Sequence, residues 1–149
     1  MVSQRPAIGW REWVLLPALG VGPIKAKIDT GARTSALHAF ELEPFQRDGR
    51  PWVRFEIHPR QRSAAGATLV EVPLVEHRHV RSSSGIRQRR PMIHTEIEIG
   101  GRRFPVDLTL TRRDEMGFRM LVGRQALRGR FVVDPGRSYL GSPREERSA

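Results

Sequence analysis

One short segment of the chain, Ile28-Asp29-Thr30-Gly31-Ala32, places a carboxylate in a setting that suits catalysis. It directly follows an alternating stretch, so Asp29 is predicted to lie on a tight turn at the end of a strand. Gly31 would let the backbone come close to the carboxylate and donate an N–H to it, and Thr30 could hold the turn by a hydrogen bond. Plain structural turns also favour Asp and Gly. On its own, the segment leaves both interpretations open.

Other catalytic or cofactor sites find less support in the sequence. The chain has no cysteine, which excludes disulfides, thiolate zinc sites and a cysteine nucleophile. His77 and His79 would project from one face of a strand, a spacing more typical of surface residues than of zinc ligands. The motifs His-Glu-x-x-His, Gly-x-x-x-x-Gly-Lys-Ser/Thr and Gly-x-Ser-x-Gly are absent, although a dispersed serine triad would leave no such signature. We therefore predict no metal site and no cofactor.

The charge of the chain points to acidic partners. Lys and Arg number 26 against 16 Asp and Glu, a formal net charge of +10, and only Lys25 and Lys27 are lysines. Arginine offers a bidentate fork for carboxylate or phosphate, so an acidic peptide or a nucleic acid could be the partner. A general bias towards arginine in the composition would explain the charge as well. Nucleic acid is the weaker candidate, because the 3 Trp, 1 Tyr and 6 Phe are largely needed by a core and no RNA-binding signature appears.

Short alternating segments dominate the chain and favour an all-β fold. Residues 24–28 alternate apolar or small side chains with lysine, and Val53, Phe55 and Ile57 would share one face of another strand. Residues 92–110 read as a hairpin around the two-residue turn Gly100-Gly101. Two stretches, 60–68 and 81–91, look like exposed loops, and residues 124–127 form the one plausible helix.

These elements predict a small closed or nearly closed β-barrel with one short helix near the C-terminus. Residues 1–141 are expected to form a single domain, and residues 142–149 a disordered tail because they hold no large apolar side chain. The start of the chain lacks the apolar core of a signal peptide and no long apolar run follows. The protein is therefore predicted to be cytoplasmic, without a membrane partner.

Two separate motifs resemble retropepsins, the aspartic peptidases of retroviral type. Residues 28–32 resemble their active-site turn. Residues 120–127, Met-Leu-Val-Gly-Arg-Gln-Ala-Leu, resemble their apolar-apolar-Gly-Arg-x-x-Leu segment, in which a strand crosses behind that turn and enters a short helix. Residues 27–37 are also similar to a bacterial retropepsin-like family labelled "ATP-dependent zinc protease". The resemblance extends from about Ile8 to Tyr139 and implies a barrel of the retropepsin type.

The resemblance implies a homodimeric aspartic peptidase with one catalytic carboxylate, Asp29, in each subunit. Thr30, Gly31 and Ala32 would then form the active-site turn, with Gly123 and Arg124 as its structural support. A mobile flap should cover the cleft, and residues 81–91 lie at the corresponding place in the chain. The substrate-binding residues that we predict on the flap and beside the turn are Arg33, Arg81, Ser83, Gly85 and Arg87.

Arg33 departs from the retropepsin pattern, which has an acidic residue at this position. It would repel Arg124 if both were placed as in that pattern. Either another acid rebuilds the interface, or Arg33 points into the cleft to receive an anionic substrate group, which we prefer. Members of the resembling family often accompany ATP-grasp ligases that add glutamates to proteins, which implies an acidic, glutamate-rich peptide substrate. The alternative is a catalytically silent module that binds acidic peptide or nucleic acid.

Overall fold

A computed structural model describes residues 4–60, 63–81, 84–114 and 117–142, which form twelve strands and one α-helix. The strands are β1 Ala7–Gly9, β2 Arg11–Leu16, β3 Val21–Asp29, β4 Ser35–His38, β5 Phe40–Arg47, β6 Arg50–Ile57, β7 Thr68–Pro73, β8 Glu76–Arg81, β9 Arg87–Ile99, β10 Arg102–Thr111, β11 Met120–Gly123 and β12 Val132–Asp134. Helix α1 is Arg124–Leu127, and a 3-10 turn that the sequence did not indicate covers Pro17–Leu19. No helix in the described ranges is long and apolar enough to cross a membrane.

Six of these strands form a nearly closed ring. They follow the order β10, β4, β11, β3, β2, β9, and β9 pairs with β10 to complete the circle. The ring is weakest between β2 and β9, where only Leu15 and Glu98 pair. A separate three-stranded sheet, β5-β6-β7, and the small β1-β12 pair lie outside the ring. The prediction of an all-β, nearly closed barrel with one short helix is confirmed.

Alternating side chains fill the core of the ring, as the sequence indicated. Ile24, Ala26 and Ile28 of β3 are buried, with at most 5% of their surface exposed, while the lysines between them are half-buried. Burial of this kind contributes about 1.5–3 kcal/mol for a large aliphatic side chain. The hairpin at residues 92–110 is also found, and Gly100 and Gly101 both adopt a positive φ at its turn. Glycine takes that backbone conformation without strain.

The stretch predicted as a loop at residues 81–91 is largely a hairpin, so that prediction was wrong. β8 pairs with the first part of β9 from Glu76↔Met92 to Arg81↔Arg87, which leaves only a short connection between the two strands. The strand was missed because its first residues, Arg-Gln-Arg-Arg, show no apolar alternation and their pairing is specified by the partner strand.

A buried carboxylate fastens the C-terminal end of the described chain to β2. Glu12 is fully buried, and its Oε2 accepts the Gly9 N–H at 2.7 Å. Its Oε1 accepts the Ser142 hydroxyl at 2.8 Å, and the Gly141 N–H lies 3.1 and 3.2 Å from the two oxygens. We call Glu12, Gly9, Gly141 and Ser142 the C-terminal latch. Hydrogen bonds to both oxygens offset the cost of burying the carboxylate.

The latch places Ser142 in the folded body and not in the predicted tail, because its side chain is buried and bonded to Glu12. Residues 143–149 of that tail lie outside the described residues. Beside the latch, Tyr139 stacks on Trp13 with ring centroids 5.7 Å apart. Burial raises the pKa of Tyr139, against the lowering effect of the Arg11 charge.

Candidate active site

The turn at residues 29–32, which we call the catalytic turn, begins where β3 ends. The Gly31 N–H donates to Asp29 Oδ1 at 3.0 Å, and the Ala32 N–H donates to the Asp29 carbonyl at 3.2 Å. A Cβ on Gly31 would lie only 3.3 Å from Oδ1, so glycine suits this close approach. Within the described residues, Asp29 Oδ2 accepts no hydrogen bond. One carboxylate oxygen is held in place and the other remains open.

Strand β11 supports the catalytic turn from behind. It runs parallel to β3 and brings Gly123 opposite Asp29. The Gly123 N–H donates to the hydroxyl of Ser35 at 3.0 Å. A Cβ on Gly123 would lie 2.4 Å from the Thr34 carbonyl oxygen, a distance that real contacts do not reach. Glycine at this position therefore allows β11 to approach the backbone that follows the turn.

Helix α1 begins directly after Gly123 and binds the turn through its first residues. The backbone N–H groups of Arg124 and Gln125 donate to the carbonyls of Ala32 and Arg33 at 2.6 and 3.1 Å. The Arg124 guanidinium donates to the Thr30 carbonyl at 3.2 Å. In the described part of the chain the Thr30 hydroxyl has no hydrogen-bond partner, so the carbonyl of Thr30, and not its side chain, helps to hold the turn.

A cleft of about 790 Å³ lies in front of the catalytic turn. Asp29 and residues 31–34 line it together with residues 78–81 of β8. The hairpin of β8 and β9 therefore borders the same cleft as the Asp29 carboxylate. We call this space the catalytic cleft.

The walls of the catalytic cleft carry an excess of positive charge. Arg33 and Arg81 line it, are exposed, and form no ion pair within the described ranges. Arg78 also lines it but is paired with Glu76 at 2.7 Å. The Arg124 guanidinium is bonded to the Thr30 carbonyl, whereas Arg33 lines the cleft. This arrangement supports the interpretation of Arg33 as a receptor for an anionic substrate group.

The structure brings together only part of the predicted substrate-binding set. Arg33 and Arg81 line the cleft with Asp29, whereas Gly85 and Arg87 do not, and Ser83 lies outside the described residues. Apart from Thr34 beside the catalytic turn, the charged or polar lining residues that the sequence did not indicate for this cleft are Arg78, His79, Asp107 and Gln125, since Arg90 belongs to the predicted flap at residues 81–91. Their position follows from long-range strand pairing, for which no local pattern in the chain gives a signal.

The two histidines considered as zinc ligands line different clefts. His79 lines the catalytic cleft, and His77 lines a second cleft on β9 and β10. In the described part of the chain, no three His, Asp or Glu side chains are grouped so that they could hold a metal ion.

Comparison with known proteins identifies the family. Residues 7–144 match the family model described as RimB-like, retropepsin-like aspartic endopeptidase RimB. A protein of Shewanella pealeana named "Probable alpha-L-glutamate ligase" is 48% identical over 139 residues, and one of the same name from Parasynechococcus marenigrum is 45% identical over 146 residues. These alignments cover 93% and 97% of this chain but only 30% and 31% of the relatives, so the chain spans about a third of their length.

The fold has also been solved in a related form. A crystal structure of Lpg0085, a Legionella pneumophila protein of unknown function, superposes with a TM-score of 0.75 at 24% identity, covering 93% of this chain and all of that one. This likeness concerns the fold, whereas the family match covers both the catalytic turn and the supporting strand and helix. The chain belongs to the RimB-like family of retropepsin-like aspartic endopeptidases.

Proposed function

We propose that this protein hydrolyses peptide bonds as a homodimer in which the Asp29 carboxylates of two copies flank one water molecule. The observation that carries this proposal is the setting of Asp29, which lines a cleft and has one oxygen held by the turn and the other open. Asp107 is the other aspartate in the cleft. It lies in the middle of β10 and its Oδ1 is 2.8 Å from His94 Nδ1, so it does not repeat this setting. A second copy would supply the missing carboxylate.

The chemistry follows from bringing two carboxylates together. Two such groups at close range cannot both be ionised cheaply, so the pair holds one proton. The ionised carboxylate removes a proton from the water as its oxygen attacks the peptide carbonyl, and the protonated carboxylate donates to the carbonyl oxygen. Collapse of the tetrahedral intermediate breaks the C–N bond: the leaving nitrogen takes the proton that the first carboxylate removed from water, and a hydroxyl of the intermediate returns a proton to the second carboxylate. The hairpin of β8 and β9 would exclude bulk water during these steps.

Mixing wild-type protein with the Asp29→Asn variant tests the shared site. At constant total concentration and after subunit exchange, activity should fall as the square of the wild-type fraction, because only dimers with two Asp29 carboxylates are active. Asp48→Asn, which removes an aspartate from the turn between β5 and β6, is the matched control and should give no loss on mixing.

A linear fall in activity on mixing with Asp29→Asn would contradict the shared site. A second result would redirect the proposal. If Asp107→Asn is as inactive as Asp29→Asn, and dilution leaves specific activity unchanged, both carboxylates come from one chain. Selective peptide binding without any hydrolysis by the wild-type protein would favour the silent binding module instead.

We propose further that the substrate is an acidic, glutamate-rich peptide. Arg33 and Arg81 offer unpaired guanidinium groups to the cleft, and the whole chain has a formal charge of +10. The relatives that contain a matching segment are named as glutamate ligases, so a protein modified with glutamate by such a ligase fits the same chemistry. Cleavage of a glutamate-rich peptide should exceed that of its glutamine counterpart and should weaken as salt rises. Equal cleavage of both peptides at every salt concentration would remove this part of the proposal.

A further inference from the structure

A second cleft, which we call the fork cleft, opens where β9 and β10 separate. The two strands pair from Arg102↔Ile99 to Thr109↔Met92. Beyond that point β10 continues beside β4, while the first part of β9 pairs only with β8. The space between them measures about 640 Å³ and lies against the three-stranded sheet.

The fork cleft combines an apolar floor with a positively charged rim. Buried Leu42, Val53 and Leu110 are among its lining residues. Arg89 and Arg113 stand at the rim, and neither forms an ion pair or hydrogen bond within the described ranges. No acidic side chain occurs among the described residues that line the cleft. The rim therefore carries positive charge that the chain itself leaves unneutralised.

Two arginines on the other side of the three-stranded sheet already have acidic partners in the chain. Arg54 follows Val53 in β6 and so points to the opposite face. It lies 3.1 Å from Glu43 and 3.5 Å from Glu71, and Arg47 lies 2.9 Å from Glu71. The carboxylates of Glu43 and Glu71 are therefore already occupied on that face, whereas Arg89 and Arg113 at the fork cleft have no acidic partner among the described residues.

We propose that the fork cleft binds an acidic peptide segment that carries an apolar side chain. The rim would hold its carboxylates and the floor its apolar group. No Phe, Trp or Tyr is found among the described lining residues, so the cleft offers no stacking platform for nucleic-acid bases. The buried Arg90 lines both the fork cleft and the catalytic cleft, so the two clefts are neighbours. This inference rests on the proposed function only in taking the substrate to be an acidic peptide.

Binding measured without turnover tests the fork cleft. The probe is a fluorescein-labelled, glutamate-rich peptide with one central leucine, titrated at low salt with the Asp29→Asn protein. Adding Arg89→Ala and Arg113→Ala should weaken binding about tenfold, because two exposed charge pairs are lost. The control adds Arg47→Ala and Arg54→Ala, which removes the same number of positive charges from the other face, and should change binding less than about twofold. Thermal melting verifies that each protein is folded.

Two further probes identify the ligand class. Replacing the leucine of the peptide by alanine should weaken binding several-fold in the Asp29→Asn protein, since the apolar floor loses its contact. A single-stranded DNA oligonucleotide should bind more weakly than the peptide. Equal losses in the two double variants, equal binding of both peptides, or tighter binding of DNA that depends on Arg89 and Arg113 would each overturn the proposal.

Peptide hydrolysis by the wild-type chain separates the proposed peptidase function from the proposed binding at the fork cleft. Hydrolysis by the wild-type chain, combined with unchanged peptide binding after Arg89→Ala and Arg113→Ala, would leave the proposed function standing and remove the fork cleft. Selective loss of binding in that variant, with a wild-type chain that hydrolyses no peptide, would support the fork cleft and remove the peptidase.

Discussion

The catalytic turn and the C-terminal latch both bring the backbone N–H of a glycine to a carboxylate, yet they treat the carboxylate differently. Glu12 of the latch is fully buried, and each of its oxygens accepts at least one hydrogen bond. Asp29 of the turn is only half-buried, and its carboxylate accepts one hydrogen bond, from the backbone N–H of Gly31. A carboxylate that only stabilises the fold is surrounded by donors, whereas one that must react keeps an oxygen accessible.

Close backbone contact at a glycine is found beside both carboxylates. At Gly9 of the latch, a Cβ would lie 2.4 Å from the Arg137 carbonyl oxygen. At Gly123 behind the catalytic turn, a Cβ would lie 2.4 Å from the Thr34 carbonyl oxygen. Both regions thus depend on close backbone contact. What distinguishes them is the number of donors given to the carboxylate.

The Asp29→Asn substitution should produce the largest effect on activity and almost none on stability. It removes the acid and base functions while nearly preserving side-chain volume, so peptide hydrolysis should fall by about 10³-fold or more. The melting temperature should stay near the wild-type value, because the side chain accepts one hydrogen bond and is not deeply buried. Turnover of a glutamate-rich peptide and thermal melting provide the two readouts. Retained turnover would show that Asp29 is not the catalytic carboxylate.

The Glu12→Ala substitution should have the opposite profile. It leaves the N–H groups of Gly9 and Gly141 and the hydroxyl of Ser142 without their acceptor. The free energy of unfolding should fall by about 3 kcal/mol, and activity per folded molecule should be unchanged. Denaturant unfolding measures the loss. Glu96→Ala, at a half-buried position of β9, is the control and should cost well under 1 kcal/mol. A similar small loss at Glu12 would mean that the latch does not stabilise the fold.

Gly123→Ala and Gly9→Ala form a matched pair for the backbone. Each adds a methyl group against a carbonyl oxygen and should lower the free energy of unfolding by about 1–3 kcal/mol. Only Gly123→Ala shifts the catalytic turn, so only this variant should lose about tenfold or more in kcat at temperatures where both proteins are folded. Equal kcat values in the two variants would show that β11 does not position Asp29.

The sequence was sufficient for those elements whose signals are local. Alternation of apolar residues predicted β3 and the hairpin around Gly100. The family motif predicted the turn at Asp29 and its support by Gly123 and Arg124. Each of these signals lies within a few neighbouring residues and concerns backbone conformation or the face of a strand.

The remaining parts depend on contacts between distant segments, which local patterns do not encode. The first residues of β9 are polar and become a strand because β8 pairs with them. Arg90 is buried and lines two clefts, although it follows the exposed Arg89 in a polar stretch of the chain. Glu12 occupies a core-facing position of β2, and besides the nearby Gly9 N–H its donors come from residues more than a hundred positions away. Such arrangements require the tertiary fold.

Substitution of Arg33, which lines the cleft beside the open carboxylate of Asp29, should have the smallest of the expected effects on activity. Each exposed charge pair contributes about 0.2–1 kcal/mol, so Arg33→Ala should raise KM for a glutamate-rich peptide about two- to fivefold. Arg33→Glu should do more harm, because it adds repulsion to the lost attraction. Both effects should shrink at high salt and be absent with a neutral peptide. Arg50→Ala, an exposed arginine outside the catalytic cleft, serves as the control, and gel filtration confirms that each variant keeps the wild-type oligomeric state. Glu12 of the latch receives its hydrogen bonds from within the chain, so we expect no such salt dependence from a change at the latch. If Arg33→Glu cleaves acidic and neutral peptides as the wild-type protein does, the charge beside Asp29 has no part in choosing the substrate.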